Sequence, residues 1–136
     1  VSAMSQKITT FLMFEGQAEE AMNFYTSLFD QSEIVEIKRY GAGEAGVEGS
    51  VVRATFSLHG QVFMCIDSFV KHDFSFTPAI SLYVNCDSDE EIERVYAALS
   101  QDGKVYMPLG SYPFSEKFGW VGDRFGVTWQ LNLAKK

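Results

Sequence analysis

Hydrophobic positions along the chain recur with two different periods, and the switches between them mark out two successive sets of elements. Ile8-Thr9-Thr10-Phe11-Leu12-Met13-Phe14 reads as a first strand. The stretch that follows places Ala18, Ala21, Met22, Tyr25, Leu28 and Phe29 on one stripe at helical spacing, with Glu19 and Glu20 in the first turn, where carboxylates favour the positive end of the helix dipole. Such a stripe packs on a sheet. Period two then returns over Ser32–Tyr40, Ser50–Leu58 and Gln61–Asp67, and His59-Gly60 supplies a tight turn between the last two.

The second half repeats this order. Thr77–Cys86 reads as a strand and Ser88 to Asp102 as a helix, opened by a capping box of Ser88 and Glu91 and closed at Asp102-Gly103. A short strand near Lys104–Tyr106 comes next, then Phe118–Gly122 and Val127–Leu133, joined by Asp123-Arg124-Phe125-Gly126, where glycine permits the positive φ of a tight turn. The two helix starts, Ala18 to Tyr25 and Asp89 to Tyr96, match in pattern rather than identity. The expectation is an α+β domain over 6–136 built from two tandem βαβββ modules, about 6–67 and about 77–133. Residues 1–5 are set aside as an N-terminal tail, with Met4 as the natural start and Val1-Ser2-Ala3 left over from expression.

Composition narrows the function. A chain of 136 residues can bury a real core, and 12 Phe suit strands around a lined cavity. The net charge of −7 repels phosphate backbones and anionic lipid surfaces, and apolar runs such as Phe11-Leu12-Met13-Phe14 are too short to cross a bilayer. A cytoplasmic protein with no nucleic-acid or membrane partner is expected. Cys65 and Cys86 lack C-x-x-C spacing, so they read as buried free thiols rather than a disulfide or thiolate zinc site. Gly41-Ala42-Gly43-Glu44-Ala45-Gly46 matches G-x-G-x-x-G, but it leads into a strand where a dinucleotide loop must open a helix, and Glu44 and Glu48 would repel phosphate.

The tandem βαβββ order, the run Gly16-Gln17-Ala18-Glu19-Glu20-Ala21-Met22-Asn23-Phe24-Tyr25, the strand around Phe76-Thr77-Pro78-Ala79-Ile80-Ser81, and Met107-Pro108-Leu109 through Trp129-Gln130 together resemble one family. It is the PhnB-like group, also labelled the 3-demethylubiquinone-9 3-methyltransferase domain, of the vicinal oxygen chelate (glyoxalase/bleomycin-resistance/dioxygenase) superfamily. The resemblance covers nearly all of Gln6–Leu133. It implies the glyoxalase/bleomycin-resistance/dihydroxybiphenyl dioxygenase fold, with curved mixed sheets around a cavity, and a homodimer. The methyltransferase label is treated as nomenclature, because a methyl donor needs a glycine-rich strand-to-helix loop in a larger parallel sheet.

The same resemblance implies four metal-ligand positions, which fall on Thr10, Cys65, Ala79 or its same-face neighbour Ser81, and Gln130. Only Gln130 offers a plausible oxygen donor, and a neutral amide alone does not hold a divalent ion. His59 falls in a turn and His72 in a loop, so neither rescues the site. No metal and no cofactor are expected. A G-x-S-x-G elbow and an H-E-x-x-H helix are missing, and Cys65 in apolar surroundings reads as packing rather than a nucleophile.

Strand alternation suggests the cavity lining, since residues two apart share a face. It gives Thr10, Leu12 and Phe14; Phe63, Cys65 and Asp67; Ala79, Ser81 and Tyr83; and Thr128, Gln130 and Asn132, with Arg53 and Thr55 joining from a neighbouring strand and Trp129 and Val127 facing a helix. Tyr112, Pro113, Phe114 and Lys117 form a loop that either covers the cavity mouth or is a surface loop pinned by aromatics. Three functions fit: a small-molecule binding protein with a metal-free cavity between the modules, an enzyme of lyase, isomerase or dioxygenase type with an atypical site around Gln130 and Cys65, joined by Asp67 or Arg53, and a dimerising scaffold.

Overall fold

A computed structural model describes residues 6–136, so the reading of 1–5 as a tail lies outside the described residues. The chain divides after His72 into two compact units. The first contains β1 (Thr10–Phe14), α1 (Ala18–Leu28), β2 (Glu33–Arg39), β3 (Val51–Leu58) and β4 (Gln61–Asp67). The second contains β5 (Leu82–Cys86), α2 (Asp89–Ser100), β6 (Lys104–Tyr112), β7 (Ser115–Gly122) and β8 (Thr128–Leu133). Each unit folds as βαβββ into a four-stranded mixed sheet, in the orders β1-β4-β3-β2 and β5-β8-β7-β6. In both, the first strand runs parallel to the last and the other pairings are antiparallel. The α+β architecture of tandem modules is therefore as the sequence predicts.

In the first unit α1 buries Ala18, Ala21, Met22, Tyr25 and Leu28. The Tyr25 ring lies 6.4 Å from that of Phe56 on β3, and Phe56 stacks on Phe63 of β4 at 5.3 Å. The start of α1 has no cap from its own Gln17 side chain. Asp67, at the end of β4, caps it instead. Its Oδ1 accepts the Gly16 and Ala18 N–H groups at 2.9 Å each, and Oδ2 accepts the Val51 N–H at 3.0 Å. One buried carboxylate thus ties the starts of α1 and β3 to the end of β4.

In the second unit the Ser88 Oγ accepts the Glu91 N–H at 3.1 Å, and the Glu91 carboxylate reaches back to the Asp87 N–H at 2.7 Å, so the predicted capping box forms one residue wider than its ideal. Ile92, Val95 and Leu99 face the sheet. The β7–β8 turn closes as predicted, with Gly126 at φ +96° and its N–H bonded to the Asp123 carbonyl at 3.0 Å. Asp123 Oδ1 accepts the Phe125 and Val127 N–H groups at 2.9 and 3.1 Å, and Oδ2 accepts the Trp129 indole N–H at 3.0 Å.

Several expected boundaries are corrected. The strand read over Thr77–Cys86 begins only at Leu82, because Pro78 lacks the N–H a ladder needs and sits in a turn. Phe29 ends the helical stripe as the extended residue after α1. The strand near Lys104–Tyr106 runs on to Tyr112, and its pairing with β7 shifts register three times between Val105 and Tyr112, which erases any clean alternation from the sequence. The loop expected at Tyr112, Pro113, Phe114 and Lys117 is consequently a hairpin tip, and Lys117 lies inside β7.

Candidate functional site

The residues proposed to line a cavity separate by face. In the first unit Leu12, Phe14, Phe63, Cys65 and Asp67 are buried, and they share register with Ala54 and Phe56 on the side covered by α1. Thr10 pairs with Phe63 on that same side. These six positions thus face or cap α1, where the sequence led to the expectation of a cavity lining. Arg53 and Thr55 lie on the opposite face, where Thr55 pairs with Met64 and Glu36. That face also carries Phe11, Met13 and Ile66. Arg53 is largely exposed, 3.7 Å from Glu36.

Burial pushes the Cys65 thiol up to about 12, with the Asp67 charge adding to the effect, so the group is held as a thiol and is a poor nucleophile. Cys86 in the second unit is also buried and free, and burial with Glu91 and Asp87 raises it to about 12. The metal chemistry of the superfamily does not fit the residues present. Thr10 and Cys65 point toward α1, Ala79 stands exposed in the turn before β5, and Ser81 and Gln130 carry only neutral donors. Among the described residues no three His, Cys, Asp or Glu side chains gather as a metal-binding group. His59 sits in the β3–β4 turn at φ +50°, and His72 lies in a loop with Nε2 3.1 Å from Ser68 Oγ.

The second unit places its proposed residues differently. Trp129, Leu131 and Leu133 are buried on the α2 side, while Thr128, Gln130 and Asn132 alternate onto the other face. Register sets Tyr83 and Trp120 on either side of Gln130, and Asn85 and Phe118 on either side of Asn132. Ser81, just before β5, reaches the same face.

Hydrogen bonds on this face have a direction. The Thr128 hydroxyl donates to the Ile80 carbonyl at 2.6 Å, which leaves its oxygen to accept the Ser81 O–H at 3.0 Å. With its one proton committed, Ser81 accepts from Gln130 Nε2 at a weaker 3.5 Å. This chain orients the Gln130 amide so that Oε1, the better acceptor, has no hydrogen-bond partner among the described residues. Beside it, Asn132 Nδ2 donates to Asn85 Oδ1 at 3.1 Å, and the buried Ser115 hydroxyl lies 2.5 Å from Asn132 Oδ1.

Aromatic rings frame these groups. Tyr83 lies 6.4 Å from Phe118, and Phe118 meets Phe114 edge-on at 5.0 Å. Tyr106 lies 5.0 Å from Trp120, whose Nε1 is buried without a hydrogen-bond partner among the described residues. Asn85, Ser115, Phe118 and Trp120 do not stand out from the sequence as lining residues. Extending the Tyr83 alternation by one step gives Asn85, and pairing the hairpin outward from its turn gives Trp120 and Phe118, so three of the four were within reach.

A cleft of about 360 Å³ opens in the first unit, lined by Glu15, Gly16, Val47, Glu48, Gly49, Ser50, Asp67, Ser68 and Phe69. It lies under the glycine-rich β2–β3 loop. The G-x-G-x-x-G segment thus joins two strands and opens no helix.

The family model described as 3-demethylubiquinone-9 3-methyltransferase matches residues 6–132. The structure of a PhnB protein from Bacillus cereus is 69% identical, with a TM-score of 0.94 over 95% of this chain and 100% of that one. A glyoxylase/bleomycin resistance protein/dioxygenase domain from Frankia sp. EAN1pec is 12% identical, with a TM-score of 0.66 over 96% of this chain and 98% of that one. A mutant of the fosfomycin resistance protein FosX from Listeria monocytogenes, complexed with Mn(II) and 1S,2S-dihydroxypropylphosphonic acid, is 12% identical, with a TM-score of 0.63 over 96% of this chain and 91% of that one. With the last two the likeness is one of fold, the glyoxalase/bleomycin-resistance fold that the resemblance implied.

Proposed function

We propose that this chain, which belongs to the 3-demethylubiquinone-9 3-methyltransferase family, binds a small organic molecule on the face of the second sheet turned away from α2, without a metal ion. The observation that carries the reading is the oriented chain from Gln130 through Ser81 and Thr128 to the Ile80 carbonyl, set among aromatic rings. A few fixed polar groups on an aromatic surface are the usual means of holding a small ligand. The FosX relative binds a phosphonic acid with Mn(II), which supports small-molecule binding on this fold but supplies no ligand for this chain. The family's methyltransferase name is not carried over, because the glycine-rich loop that a methyl donor requires is not at a strand-to-helix junction.

A fragment screen read by amide chemical shifts tests this. Hits are expected to perturb Tyr83, Trp120, Gln130 and Asn132 together. Hits confined to the Glu15 and Glu48 cleft would overturn the assignment to the second sheet.

A further inference from the structure

We infer that the ligand of this face is an uncharged planar ring molecule that donates a hydrogen bond to Gln130 Oε1. This rests on the binding reading above and narrows it to a chemical class. The donor follows from direction. Thr128 gives its proton to the Ile80 carbonyl, Ser81 gives its proton to Thr128, and Gln130 is thereby held with its amide nitrogen toward Ser81 and its carbonyl oxygen unmatched. A neutral amide oxygen takes an N–H or O–H and repels an anion's oxygen.

The ring follows from register. Gln130 is directly paired with Tyr83 on one side and Trp120 on the other. Two aromatic side chains therefore flank the acceptor, each about 4.8 Å away in the plane of the sheet. A flat molecule reaching Oε1 must lie against one or both of them, where stacked or tilted ring contacts add to area burial.

The absence of charge follows from the neighbours. The register neighbours of Gln130 carry hydroxyls, amides and rings, so an ionised group held at Oε1 would lose hydration without a counter-ion among them. A cation meets a further obstacle, because Lys104 Nζ already lies 5.3 Å from the centre of the Tyr106 ring beside Trp120. The net charge of −7 sets the long-range field against anions.

Four near-isosteric probes separate these elements: benzamide, acetophenone, benzoate and benzamidinium, each titrated at neutral pH with amide shifts as the readout. Benzamide is expected to bind about fivefold tighter than acetophenone, the gap that one hydrogen bond supplies, and tighter than either ion. Gln130→Ala and the bulk-preserving Gln130→Met are expected to erase the gap between benzamide and acetophenone while retaining a dispersed native spectrum. Equal binding of acetophenone to the unmodified protein would overturn the donor requirement, and tighter binding of benzoate or benzamidinium would overturn the uncharged class. If none of the four shifts Tyr83, Gln130 or Trp120, the binding reading itself fails.

Discussion

The two units share one plan and use it to different ends. Each lays a helix on one face of a sheet ordered first, last, third, second among its strands, and each depends on a single buried aspartate that accepts three N–H groups. In the first unit Asp67 organises the edges of three elements, and the face beyond the helix is apolar with a scattering of charge from Arg53 and Glu36. In the second, Asp123 organises one turn and pins Trp129, and the face beyond the helix carries neutral hydrogen-bonding groups in fixed orientation. The plan holds the fold, and the side chains on the face turned away from the helix carry what distinguishes one half from the other.

The sharpest way to break the comparison is to remove each aspartate. Asp123→Ala leaves three donors in buried surroundings and releases the indole of the buried Trp129, so a loss of about 4 kcal/mol is expected. Asp67→Ala also orphans three donors, but the Gly16 N–H is only part-buried and can turn to water, so about 3 kcal/mol is expected. Urea denaturation of both variants checks the order. A larger loss for Asp67→Ala would show that joining three elements matters more than the depth of burial.

The same contrast explains what was legible in the sequence. On β8 the run Thr128-Trp129-Gln130-Leu131-Asn132-Leu133 alternates polar with apolar, so parity alone assigns Gln130 to the face turned away from the helix and Trp129 to the helix. On β1 the residues Phe11, Leu12, Met13 and Phe14 are apolar at every position, and on β4 Phe63, Met64, Cys65 and Ile66 behave alike. Parity there is invisible, and choosing the wrong one moves every side chain to the opposite face. That is why Leu12, Phe14, Phe63, Cys65 and Asp67 appear as lining in the sequence and as core in the structure. Asp67 carried a further signal: a lone carboxylate ending an apolar strand, opposite a glycine turn that opens a helix, suits a backbone cap better than a ligand contact. Helix positions were legible because both stripes and the Ser88 cap are local, whereas β6 was not because its register shifts arise only from pairing.

A more moderate effect concerns a feature that the halves have in common. Cys65 and Cys86 are both raised to about 12, chiefly by burial, from an ordinary thiol value near 9. Between those values the unfolded chain loses thiol protons that the folded chain keeps. Stability from this source is therefore whole below about pH 9 and falls as pH rises toward 12, by no more than about 1.4 kcal/mol per unit for each thiol. Urea midpoints measured from pH 8 to 10.5 are expected to decline more steeply for the unmodified protein than for Cys65→Ala, Cys86→Ala. Equal slopes would show that the folded thiols ionise as freely as unfolded ones.

The smallest effect expected is at the surface pairs that link helix to sheet in each unit. Arg39 on β2 meets Glu19 of α1 through a 2.6 Å contact, and the pair holds the Glu19 carboxyl below its ordinary range through its hydrogen bond to Arg39. Lys117 on β7 lies 2.9 Å from Asp89 and 3.3 Å from Glu93 of α2, and hydrogen bonds to the two carboxylates raise its amine. The Lys117 side chain is also the less exposed of the two cations, at 27% against 46%. Fewer water contacts and two partners favour Lys117, while the bidentate geometry of Arg39 favours the other. Lys117→Met is expected to lower the melting temperature slightly more than Arg39→Met, because a second carboxylate is left facing the first across one turn of α2 when the lysine is gone. Both shifts should shrink in 1 M NaCl, where charges more than about 3 Å apart are screened, and a difference that survives high salt would assign it to packing of the lysine stem rather than to charge.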